Sequence, residues 1–148
     1  MLKIKKCTNN ERGATLVEFA ISATVFLTAM FGVLEFGRAV WAHNALTDAA
    51  RRGARYATLN TSASSAQVKN VVVYGNPEGT GSPMLNNLGA ANVDVSYSGF
   101  GLNAGTVSVS ITNYQFQLVI PIVGASIKMP SYKTTLTAES AGLTPANI

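Results

Sequence analysis

From Ala14 to Leu34 the chain runs for 21 residues with a single ionisable side chain, Glu18. A helix needs about 20 apolar residues to cross the hydrocarbon core of a bilayer. A soluble core helix of that length would carry a polar face, and this run has none. The pattern therefore predicts a transmembrane helix over 14–34, which leaves the rest of the chain to fold outside the lipid. The 148 residues suffice for one such segment and one small domain.

The leader that precedes the run, residues 1–13, sets Lys3, Lys5, Lys6 and Arg12 against Glu11, so it holds most of the chain's net charge of +4. A basic flank of this kind places the N-terminus on the cytoplasmic side and the remainder extracytoplasmic. It also removes the argument for a nucleic-acid partner, since the folded part has no broad basic face. Charged residues make up 12% of the chain, about half the usual share, which suits a protein partly in lipid or packed in an assembly. The lone cysteine, Cys7, lies in the leader and permits no internal disulfide.

A carboxylate deep in a bilayer costs about 2.5–3.5 kcal/mol on insertion scales. Glu18 stands near the start of the run, where it either reaches the interface or pairs with a cation. A cut between Gly13 and Ala14 would create that cation, a free ammonium on Ala14 one helical turn from Glu18. Burying the two charges as a pair costs far less than burying either alone. In an assembly the amine could equally come from a neighbouring subunit, and Glu18 would then set the register between subunits.

Gly13 followed by Glu18, at the junction of a basic leader and an apolar helix, resembles the class III signal of type IV pilins and pseudopilins. The resemblance implies a prepilin peptidase that cuts on the cytoplasmic side. An ordinary secretory signal is the competing reading, with Val40-Trp41-Ala42 as its cleavage site before His43.

Helix formers continue past the membrane without a proline through the extension 35–58. Ala39, Ala42, Leu46, Ala49, Gly53 and Tyr56 follow one another at heptad spacing and form a narrow packing seam of mostly small side chains. A continuous helix to Ala57 would be roughly 65 Å long, so its outer half must pack on its own domain or on neighbouring helices. Gly32 and Gly37 are candidate bend points, and Glu35 with Arg38 marks the outer membrane boundary. Arg51, Arg52 and Arg55 form a cationic group near the helix end, where cations suit the macrodipole; contact with anionic lipid or a partner is the other reading.

Glu35-Phe36-Gly37-Arg38 and the run Ala49-Ala50-Arg51-Arg52-Gly53-Ala54-Arg55-Tyr56-Ala57 resemble the N-terminal domain of TadE-like proteins of the tight-adherence (Flp) pilus system. With the leader and Val17-Glu18-Phe19 the resemblance covers about Arg12 to Ala57, and Tyr74-Gly75-Asn76-Pro77 resembles the family more loosely. It implies a minor pseudopilin that assembles or initiates a pilus, with other pilin or pseudopilin subunits, inner-membrane lipid and a prepilin peptidase as partners. An uncleaved, single-span anchored binding module is the alternative.

The distal domain, 59–148, opens on a Ser/Thr/Ala spacer over 60–66; Val68 to Tyr74 is read as a short helix, with a strand, which Val71, Val72 and Val73 favour, as the alternative. Gly79, Gly81 and two prolines mark a loop from Asn76 to Pro83. Strict alternation over 93–98, 107–112 and 132–139 predicts strands with one dry face, and Tyr114, Phe116, Leu118 and Ile120 extend the period. Ser98 to Gly105 is read as a hairpin loop, and the apolar stretch 116–123 as core, with a patch used against another subunit as the alternative. The outer helix, through Val40, Leu46 and its alanines, is the cover available to the dry face. The expected fold class is α+β: a long N-terminal transmembrane helix extended into a distal helix and packed on a small antiparallel β-sheet, pilin-like.

No catalytic constellation accompanies this. His43 is the lone histidine, and the acids Glu18, Glu35, Asp48, Glu78, Asp94 and Glu139 are dispersed. The glycine pairs Gly79/Gly81 and Gly99/Gly101 lack a phosphate-loop lysine. The expectation is a non-enzyme with no cofactor, no metal and no small-molecule substrate.

Overall fold

The computed structural model describes residues 11–60, 64–99, 105–119 and 126–137. The basic leader with Cys7, most of the Ser98–Gly105 loop, Ile120 to Val123 and the end of the last alternating stretch, including Glu139, lie outside the described residues. The chain divides into two compact units, Met1–Gly37 and Arg38–Ile148.

Helix α1 runs from Glu11–Leu59 without interruption, with Gly32 and Gly37 inside it. In the first unit its side chains are exposed almost all round, as Leu16, Phe19, Val25 and Phe26 show. Thr24 and Thr28 turn their hydroxyls back to donate to the carbonyls of Ala20 and Thr24, at 2.8 Å each. This local bonding satisfies the two hydroxyls within the helix. Glu35 is the exception to the exposure: it is 7% exposed and is engaged with a partner.

The second unit is built on the last part of α1. Ala42, Leu46, Ala49, Ala50, Ala54 and Ala57 are buried, and Ala39 and Tyr56 are half-buried against the same core. Val40 is 43% exposed and does not help to cover the sheet as its hydropathy suggested, because it falls off the seam that the alanines define.

Helix α2, Ser65–Tyr74, holds Val71, Val72 and Val73, β-branched residues that lose side-chain freedom in a helix. Caps and burial outweigh that preference. Ser64 accepts from the Gln67 backbone N–H, and the Gln67 side chain accepts from the Ser64 N–H at 3.0 Å, a complete capping box. Gly75 ends the helix in the left-handed region, with φ 80°, and donates to the Val71 carbonyl. Val68, Val71, Val72 and Val73 are all buried. Ser64→Ala should cost about 1 kcal/mol, read as a lower unfolding midpoint of the second unit; an unchanged midpoint would mean that the cap contributes nothing.

Strands β1 (Val93–Ser98), β2 (Thr106–Ile111) and β5 (Tyr132–Thr137) form an antiparallel sheet in the order β1-β2-β5. Val93 pairs with Ile111, and Ile111 with Tyr132. All three are buried, together with Val107 and Val109, so the dry face lies toward the core while Asp94, Ser96, Lys133 and Thr135 are exposed. The period that continues through Tyr114 and Phe116 does not extend this sheet. Asn113, at φ 56°, turns the chain, and β3 (Gln115–Gln117) pairs instead with β4 (Ser126–Lys128) in a separate two-stranded sheet. A 3-10 turn at Ala90–Asn92 leads into β1, and Asn92 ties that turn to the far end of β2 by donating to the Thr112 and Asn113 carbonyls.

Candidate functional site

The first unit presents the residues singled out for membrane insertion and processing. Gly13, Ala14 and Glu18 are helical and exposed. Ala14 and Glu18 are four residues apart on one helix and so share a face, one turn from each other. By length and composition α1 is a candidate membrane span from Gly13 to Leu59, with mean hydropathy 1.9 in its most apolar window and none of that window buried.

The seam residues lie in the second unit. Ala42, Leu46, Ala49 and Gly53 are buried in the unit's own core, with Ala39 at its margin. At Gly53 the approach is close: a Cβ there would stand 2.4 Å from Val72 Cγ2 and 3.5 Å from Val109 Cγ1. The glycine thus lets α2 lie against α1. The competing secretory cleavage point falls inside this arrangement, since Ala42 is 1% exposed in an unbroken helix.

Where the helix enters the second unit, Arg38 lies over the Phe116 ring, 5.3 Å from its centroid, within cation–π range. With Trp41, Leu85, Tyr114 and Val119 the pair lines a cavity of about 280 Å³. Tyr114 donates to the Asn86 carbonyl at 2.9 Å. Burial pushes its phenol above the usual tyrosine range, and the Arg38 charge pulls partly the other way. Further along, His43 Nδ1 lies 2.9 Å from the Tyr132 hydroxyl, with the rings edge to face. Burial, then the neighbouring Tyr114, raises the Tyr132 phenol as well. His43 is thus tied to a strand 89 residues away, a pairing without a local signal in the sequence.

The three arginines do not act alike. Arg52 pairs with Asp48 and points its other terminal nitrogen at Met84 Sδ, 2.9 Å away. Arg51 and Arg55 are exposed. Among the described residues no group of three or more His, Cys, Asp or Glu side chains comes together to hold a metal ion.

Compared with known proteins, the chain has no significant match among curated proteins or among solved structures. One protein family does match, over residues 13–55, and its description is TadE-like protein. The match begins at Gly13, takes in Glu18, and ends at Arg55, so it covers most of the stretch from Arg12 to Ala57 on which the resemblance was drawn and leaves out the looser one at Tyr74-Gly75-Asn76-Pro77. Residues 13–55, which hold the candidate membrane span, are therefore similar to a TadE-like protein.

Proposed function

We propose that the chain is a minor pseudopilin that takes part in the assembly or initiation of a tight-adherence (Flp) pilus, after a prepilin peptidase has cut between Gly13 and Ala14. The supporting observation is a coincidence of position. The TadE-like match starts at Gly13, and the lone acid of the apolar run 14–34, exposed on nearly every side, follows five residues later. A helix exposed in this way needs lipid or other helices around it. In the membrane it anchors the subunit, with the C-terminal domain extracytoplasmic. In an assembly the same surface packs against other pilin or pseudopilin helices, and Glu18 registers them through an Ala14 ammonium.

The uncleaved anchored binding module draws on a different observation. The small-residue seam is occupied within the chain's own domain, so the outer half of α1 is not open for helix–helix assembly. Processing separates the two readings. Co-expressed with a prepilin peptidase, the chain should yield a mature start at Ala14, and Gly13→Ala should reduce the processed form to a minor fraction. A Cβ at Gly13 meets nothing within 4 Å, so that loss would report recognition rather than folding. An uncut chain in the presence of active peptidase favours the anchored module.

A further inference from the structure

Asp48, Arg51, Arg52 and Arg55 of α1, with Thr134 and Leu136 of β5, line an open cavity of about 350 Å³ in the second unit. Its lining holds three guanidinium groups and one carboxylate, and that carboxylate is already bound to Arg52. Arg52 is held at both terminal nitrogens, while its Nε is buried without a hydrogen-bond partner. Arg51 and Arg55 stand one turn apart, where like charges destabilise a helix. An anion in the cavity would relieve this excess.

The cavity also adjoins an open sheet edge. Among the described residues β5 is hydrogen-bonded to β2 alone, so its outer edge offers backbone donors and acceptors to another strand. Arg51 and Arg55 are separated by about 6 Å along the helix axis. Side chains two apart in an extended strand are separated by about 6.8 Å, a spacing close to that of the two cations. Guanidinium forks take carboxylates in bidentate fashion.

We infer that the cavity and the β5 edge together dock an extended acidic segment of another protein, with Asp or Glu at alternate positions set against Arg51 and Arg55. A lipid surface fits less well. The cluster lies about 20 Å along α1 from Arg38, where the unit begins, and charge attraction decays over about 8 Å at physiological salt. The inference goes beyond the reading as a pseudopilin and holds whether or not the leader is removed.

The test uses the full chain in detergent micelles and a fluorescent eight-residue peptide alternating valine and glutamate. Two further probes are its glutamine counterpart and the acidic peptide N-methylated along one edge. The acidic peptide should bind at least about tenfold more tightly than the glutamine peptide, and the double variant Arg51→Gln/Arg55→Gln should erase that difference. Both arginines are exposed, so an unchanged unfolding midpoint confirms that the variant is folded. N-methylation should remove binding, because it blocks the ladder. Equal binding of the acidic and glutamine peptides, an unaffected double variant, undiminished binding of the N-methylated peptide, or no binding of any peptide would each overturn the inference.

Discussion

Glu18→Ala is expected to leave the chain inserted in the membrane and to deplete it from sheared pili by about a hundredfold or more. The two halves of that result have different physical origins. Insertion should be no worse and somewhat better, because removing a carboxylate from an apolar helix lifts a cost of up to about 2.5–3.5 kcal/mol. Assembly should suffer, because under the proposed processing an Ala14 ammonium brought among packed helices then has no counter-charge. Breaking a buried pair on one side costs about 3–5 kcal/mol, and each 1.4 kcal/mol is about tenfold in an equilibrium. Glu18→Asp, which keeps the charge on a shorter arm, should retain part of the incorporation, whereas Glu18→Gln should behave like alanine. Immunoblots of the membrane and sheared fractions read both halves at once. Normal incorporation of Glu18→Ala would remove the registration role assigned to this side chain, whatever becomes of the leader.

Gly53→Leu is expected to unfold the second unit, and Gly53→Ala to destabilise it. Alanine at an ordinary helical glycine gains about 1 kcal/mol in propensity. At Gly53 the added carbon would lie 2.4 Å from Val72 Cγ2, where carbon contacts normally sit at about 3.5–4.0 Å. Val72 is fully buried and β-branched, so it has no free rotamer to give, and α2 must move. Overpacking of this kind costs about 1–3 kcal/mol, enough to cancel the propensity gain and exceed it. Val72→Ala should relieve the clash, so the double variant should be more stable than the sum of the single changes implies. Gly32→Ala and Gly37→Ala, where nothing lies within 4 Å, should show the propensity gain alone. Thermal unfolding in detergent decides the matter: a Gly53→Ala chain stabilised as much as the Gly37→Ala chain would mean that α2 does not pack against α1 at this point.

The elements that could be read from the sequence are those whose signal is periodic and long. The small residues repeating from Ala39 to Gly53 and the alternation in β1, β2 and β5 each repeat often enough to fix a face, and the apolar run from Ala14 is long enough to mark a helix without one. Helix α2 is ambiguous in the sequence because three consecutive valines favour strand, and the Ser64–Gln67 box, the Gly75 cap and the burial of the valines decide it. Strand β4 spans three residues, Ser126–Lys128, too few to show any period, so the division into two sheets was hidden. The same shortness concealed the turn at Asn113 that separates β3 from the main sheet. Arg38 over Phe116 and His43 against Tyr132 join residues distant in the chain. No local pattern announces such pairs, because each partner is placed by a different element of the fold. The arginines Arg51, Arg52 and Arg55 were visible as a cluster, but their setting beside an open strand edge depends on where β5 comes to lie.

The intact mass of the chain's N-terminal fragment, isolated from its native membrane in cells with an active prepilin peptidase, is the most direct measurement of the account. A chain that begins at Ala14 is the predicted result. A functional chain that still carries the leader, starting at Met1 or Leu2, would contradict it.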